Sequence, residues 1–276
     1  MTMNGAMISL TSTSAKSLIR RALFGGLVAL ACVNGSLAAE PNPDFTVKTK
    51  YIDASITLDG TIRANAPLAD NLLAEGKRWI EKNRVEAAKE FKTAPELFRD
   101  GRAWVFERGY SQTAKAGERY VSIVRIDYVY TGGAHPNTFI DTILWDDEAK
   151  KQISVRPFFK ETADNGPTLK ALRAAAIAAV QAEKKERGID DSGTIDWYKG
   201  VEPTLLKVGA VSLAPSTIAD KSAGLKFHYS PYAVGPYAEG PYTVFVPWET
   251  FKAYLSPQGL AIFAGNQPSG AKLGRQ

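Results

Sequence analysis

Few residues in this chain have types and spacings that could do chemistry. His135 lies in Thr131-Gly132-Gly133-Ala134-His135-Pro136-Asn137, and His228 in Leu225-Lys226-Phe227-His228-Tyr229. Meeting in space with Asp141 or Glu239, the two would form a two-histidine, one-carboxylate set able to hold a metal, or a histidine–carboxylate pair for hydrolysis. Their spacing carries no ligand signature, so each reads first as a hydrogen-bonded structural or surface residue. Asp146-Asp147-Glu148 precedes Lys150-Lys151 and reads as a solvated turn. The chain has no Gly-x-Ser-x-Gly elbow, no His-Glu-x-x-His helix, no phosphate-cradling loop and no dinucleotide fingerprint. No metal or cofactor is implied, and a non-catalytic protein is the favoured reading over an envelope hydrolase.

A second constellation points to recognition. Pro231-Tyr232-Ala233-Val234-Gly235 is followed by Pro236-Tyr237-Ala238-Glu239-Gly240 and then Pro241-Tyr242. Each unit joins a φ-fixed proline to a permissive glycine, which favours a semi-rigid loop that loses little entropy on binding. Tyrosine offers both an apolar ring and a polar hydroxyl. The candidate binding residues are therefore His135 and Asn137 in one loop and Tyr232, Tyr237, Glu239 and Tyr242 in the other. The competing reading packs these tyrosines onto their own sheet.

The elements that must hold these loops are read from periodicity. Val47 to Leu58 alternates as a strand, and Asn65-Ala66-Pro67 opens a helix running to about Phe91. Arg102 to Arg108 and Arg119 to Tyr130 read as a hairpin around a polar linker, Ser111 to Glu118, with further strands at Thr138 to Trp145 and Ile153 to Val155. Pro167 starts a helix stopped by Gly188, Leu225 to Tyr229 and Thr243 to Val246 are short strands, and Pro247 to Leu255 is a last helix. The irregular alternation predicts an α+β fold of two adjacent modules, with mostly antiparallel or mixed sheets packed by helices.

Compartment comes from the first residues. Lys16, Arg20 and Arg21 precede an apolar run from Ala22 to Val33, and small residues follow, as in a secretory signal cut after Ala38. A loose lipobox ending at Cys32 makes a lipid anchor the less favoured alternative. The full chain of 276 residues has a net charge of +5; losing those three basic residues leaves 31 against 29 acidic ones, or +2. Nothing there suggests a nucleic-acid footprint. Cys32 is the single cysteine, so the mature chain has no thiol and suits an oxidising compartment. The expected organisation is a signal peptide over 1–38, a linker over 39–46, modules over 47–145 and 146–264, and a disordered tail over 265–276, in a periplasmic protein without a membrane span after cleavage.

The Gly132-Gly133-Ala134-His135 loop, the Leu225 to Tyr229 strand and the Pro231 to Gly240 loop, in that order, resemble a domain family of unknown function. It occurs in the extracytoplasmic part of RsiV-type anti-sigma factors and beside the catalytic domain of PdaC-type peptidoglycan deacetylases. The resemblance spans about Val47 to Leu255. It implies a two-module α+β fold outside the cytoplasmic membrane and a binding role, which in RsiV-type members is recognition of lysozyme. A lysozyme-like muramidase or a peptidoglycan fragment is thus the expected partner. Only about 21 residues precede the apolar segment and no deacetylase domain follows, so neither sigma-factor signalling nor deacetylation is carried over.

Overall fold

The computed structural model describes residues 42–193 and 195–270. The expected leader, Cys32 and the last residues of the tail lie outside them. Six strands form one sheet in chain order: β1 (Phe45–Lys48), β2 (Ile52–Leu58), β3 (Trp104–Ala116), β4 (Tyr120–Tyr130), β5 (Asn137–Asp146) and β6 (Lys151–Ile153). All pairings are antiparallel except β2 with β3, which run parallel. A parallel pair needs a crossover. Here α1 (Gly60–Arg63) and the long α2 (Ala66–Thr93) supply it.

Helix α2 forms where the sequence puts Asn65 as N-cap, its side chain accepting from Leu68 N, and Pro67 in the first turn. Leu68, Leu72, Gly76, Ile80 and Ala87 make its buried stripe. Gly76 sits where an added Cβ would come within 2.6 Å of Ile56 Cδ1, so the helix lies close on the sheet. Beneath it, Arg108 makes a bidentate pair with Asp127 at 2.6 Å for both bonds and stacks over Trp79, with Glu75 of α2 at its other side.

A second, three-stranded antiparallel sheet contains β7 (Ala210–Pro215), β8 (Ser222–Tyr229) and β9 (Tyr242–Pro247), with β8 central. Helix α3 (Pro167–Glu186) covers it, its stripe of Leu169, Leu172, Ala176 and Val180 fully buried. The architecture is a two-module α+β fold with mixed and antiparallel sheets packed by helices. The core of the second sheet also takes in Ala114, Ala116, Tyr120 and Leu144 from the first. Leu213 N donates to the buried Ser122 Oγ across the two sheets, 2.9 Å.

Several local expectations are corrected. Residues 47–58 are two strands with a turn between Lys48 and Ile52, where Thr49 Oγ1 accepts from Tyr51 N and Ile52 N. The polar stretch Ser111 to Glu118 belongs mostly to β3, which continues to Ala116 through a bulge between Gln112 and Ala114 and turns at Gly117. Its polar side chains occupy solvent-facing positions of a strand whose partner, β4, is apolar enough to hold the pairing. Trp248–Tyr254 is a 3₁₀ helix, and α4 (Pro257–Ile262) follows it with Ser256 as N-cap. No helix among the described residues is long and apolar enough to cross a membrane.

Candidate functional site

The two glycine-bearing loops meet. Gly132 and Gly133, at φ of 91° and 103°, turn the chain from β4 into β5 in a conformation costly for other residues. Tyr130 Oη donates to Gly133 O. His135 Nδ1 is 2.8 Å from Pro136 O, which can only accept, so this nitrogen carries the proton. Its ring stacks on that of Tyr237, with centroids 4.0 Å apart and planes at 25°. Tyr237 Oη donates to Pro136 O at 2.9 Å, and the Tyr232 ring lies 5.4 Å beyond Tyr237. The result is a platform of three rings drawn from positions about a hundred residues apart. Asn137 is exposed two residues past His135.

Tyr232 has a φ of 72° and is 53% exposed. A bulky residue in the left-handed region costs on the order of 1–3 kcal/mol and persists only where its surroundings enforce it. Here the enforced conformation keeps an aromatic ring at the surface.

Glu239 and Tyr242, expected among the ligand-binding residues, face inward instead. Tyr242 opens β9 and is buried, its hydroxyl donating to Glu239 Oε2 at 2.5 Å. That carboxylate lies 3.5 Å from Lys184 Nζ, which also binds Asp191 at 2.7 Å. Tyr198 Oη donates to the other Asp191 oxygen, and Arg187 donates to Glu239 O while stacking on Tyr242. Burial pushes the Tyr242 hydroxyl up, and its bond to Glu239 adds to this. For Asp191, burial pushes up, but bonds from Lys184 and Tyr198 outweigh it and hold the carboxyl below its ordinary value. This network anchors the loop to α3. Sequence reasoning missed Lys184, although a lysine continuing the stripe of Ala176 and Val180 at steps of four was a readable signal.

His228 is also inward, 6% exposed, between Ser212 Oγ at 2.8 Å from Nε2 and Thr243 Oγ1 at 3.0 Å from Nδ1. Burial, aided by the Lys226 charge, lowers its pKa to about 4. The metal set considered with Asp141 or Glu239 is not assembled: among the described residues no three histidine or carboxylate groups gather where they could hold an ion. Asp141 instead pairs with Arg125 at 2.8 Å.

Beside the platform runs a cleft of about 810 Å³ lined by both sheets and by the chain from Gly200 to Val211. Ile140, Leu144, Val155, Val201 and Leu205 give it an aliphatic lining; His228, Ser230 and Tyr232 also border it. Tyr232 is thus common to the cleft and the ring stack. The wall residues carried no distinctive motif in the sequence.

Residues 157–249 match the model of a family described as "Protein of unknown function (DUF3298)". This stretch is DUF3298-like. The DUF3298-like stretch covers roughly a third of the chain and includes His228, Tyr232, Tyr237, Glu239 and Tyr242, while His135 and Asn137 lie upstream of it. No curated protein matches the chain. Among solved structures, a DUF3298 family protein from Pseudomonas aeruginosa PAO1 aligns with a TM-score of 0.46 at 15% identity, covering 80% of this chain and 91% of its own. A member of that family from Bacteroides fragilis NCTC 9343 gives 0.44 at 14% identity, covering 79% and 94%.

Proposed function

We propose that this protein is a non-catalytic binding protein of the cell envelope, exported by its N-terminal leader, whose ligand docks on the His135, Tyr237 and Tyr232 platform. A muramidase is the favoured ligand, and a peptidoglycan fragment is the alternative. The observation that carries the reading is the stacking of His135 on Tyr237 with Tyr232 held beside them in a strained conformation. Such rings offer large, rigid, amphipathic area at low entropic cost and are typical anchors of protein interfaces. The resemblance of both loops to the lysozyme-recognising RsiV-type domains supports the choice of partner.

The test measures binding of the purified protein to lysozyme and, separately, to soluble muropeptides by calorimetry. Tyr237→Ala is expected to weaken the productive interaction at least about tenfold, equivalent to about 1.4 kcal/mol. Tyr232→Gly is expected to do the same while leaving folding stability within about 1 kcal/mol, because relief of the positive φ offsets the lost ring contact. Undiminished binding by both variants removes the platform from the site.

A further inference from the structure

We infer that the cleft takes an extended, uncharged polypeptide segment of the partner, which adds as a strand to the half of β5 that has no strand partner on its β6 side. This deepens the platform reading and rests on it.

Strand β5 has β4 on one side along its length, but β6 faces only Leu144 to Asp146 on the other. From 137 to 143 no strand is hydrogen-bonded to that side, although β7 and β8 pack close to β5 and Ser230, just after β8, touches it. Backbone direction there follows from two bonds. Ile140 N donates to Ser230 Oγ at 2.8 Å, and Thr142 N to the neighbouring Asp141 Oδ1 at 2.8 Å. The Ile140 amide therefore points away from β4. Alternate residues of an antiparallel strand point the same way, so Thr138, Ile140 and Thr142 direct their backbone groups outward. The two amides are held by side-chain oxygens that an incoming carbonyl can replace.

This edge borders the cleft at Ile140, Asp141 and Thr142. Chain addition at an open edge gives affinity through main-chain bonds and specificity through pockets for alternate side chains. The aliphatic lining supplies those pockets, and Leu206 on the far wall is 96% exposed, an apolar side chain with little of its own chain to pack on. The charges bordering the cleft are already matched within the protein, Asp141 with Arg125 and Lys207 with Glu202. The complementary segment is therefore neutral. It continues the same edge that β6 begins.

The experiment selects linear dodecapeptides displayed on phage against the full protein, then synthesises the enriched peptide and methylates its backbone nitrogens in turn. Strand addition predicts that methylation at alternate positions weakens binding at least about tenfold and at intervening positions less than about twofold. Thr142→Pro, which removes an outward amide without touching the β4 ladder, is expected to weaken the unmethylated peptide at least about tenfold. Failure to enrich any peptide over an unrelated protein, or a methylation profile without alternation, overturns the proposal. If the peptide binds with alternation but lysozyme does not bind, the muramidase assignment falls and the strand site stands. If lysozyme binds equally to the parent and Thr142→Pro and no peptide is enriched, the platform reading survives alone.

Discussion

Replacing Lys184 by methionine tests whether Glu239 is held inside the molecule. The lysine side chain is 1% exposed, against 13% for Glu239 and 24% for Asp191. Both carboxylate oxygens lie within 3.5 Å of one nitrogen, so they are at most about 7 Å apart once it is gone. At an effective dielectric of about 20 and about 6 Å, two like charges repel by about 3 kcal/mol. Breaking a buried pair by removing one partner costs about 3–5 kcal/mol, and the partial exposure of Asp191 places this case at the lower end. The expected loss is about 3 kcal/mol, or about 6–12 °C in Tm for a protein of this size. Glu239→Gln keeps an acceptor for Tyr242 and should cost less than about 1 kcal/mol, and adding it to Lys184→Met should recover part of the loss. Urea denaturation followed by tryptophan fluorescence measures all three, with an unchanged slope required for the comparison. The acid limb gives a second readout. Asp191, held low in the folded state, contributes stability that is complete above about pH 4 and lost as pH falls through its folded value. Lys184→Met should move that loss to higher pH. A Lys184→Met protein within about 1 kcal/mol of the parent refutes the anchoring role and returns Glu239 to the list of ligand-facing groups.

Other outcomes follow from the same geometry. His228, near 4 when folded and about 6.5 when unfolded, makes stability constant above about pH 6.5 and lowers it by about 3 kcal/mol as pH falls to 4; an NMR titration of its ring near 6.5 would contradict the burial. Arg108→Ala removes the bidentate partner of Asp127 beneath α2 and leaves only Arg125 at 3.8 Å, so it should cost about 3 kcal/mol by chemical denaturation, whereas a loss below about 1 kcal/mol would mean the pair is solvated. Gly224→Ala would place a Cβ 2.2 Å from Val246 O at a φ of 154°, so a loss of about 3 kcal/mol or more, or failure to fold, is expected in thermal melts.

The sequence was legible where one physical signal dominated. The stripes and caps of α2 and α3 placed both helices, and the paired glycines with the proline-tyrosine units marked both loops of the platform. It was misleading where side-chain polarity and backbone pairing diverge, as along Ser111 to Glu118, because a strand with one face in water can carry polar residues. Strand β7 was missed since Ala210 to Pro215 is short and ends in proline, and only its partner β8 makes it a strand. The inward turn of Glu239 and Tyr242 depended on Lys184 and Asp191, whose meeting with the loop is tertiary. Tyr232 and Tyr242 occupy equivalent places in the first and third repeat units, yet one ring faces solvent and the other the core; local sequence offers no means of telling them apart.

The sharing of Ala114, Ala116, Tyr120 and Leu144 with the core under α3 bears on how this architecture can be cut. The stretch recognisable by family likeness is not thereby a unit of folding. Excised at residue 157, it would leave behind the apolar surface against which its own strands close, along with Ser122, the acceptor for Leu213 N. It would also lose His135, the stacking partner of Tyr237. Transplanting the Pro231 to Tyr242 loop to another scaffold therefore requires carrying the upstream sheet with it, and a shorter graft would transfer the tyrosines without the surface that orients them.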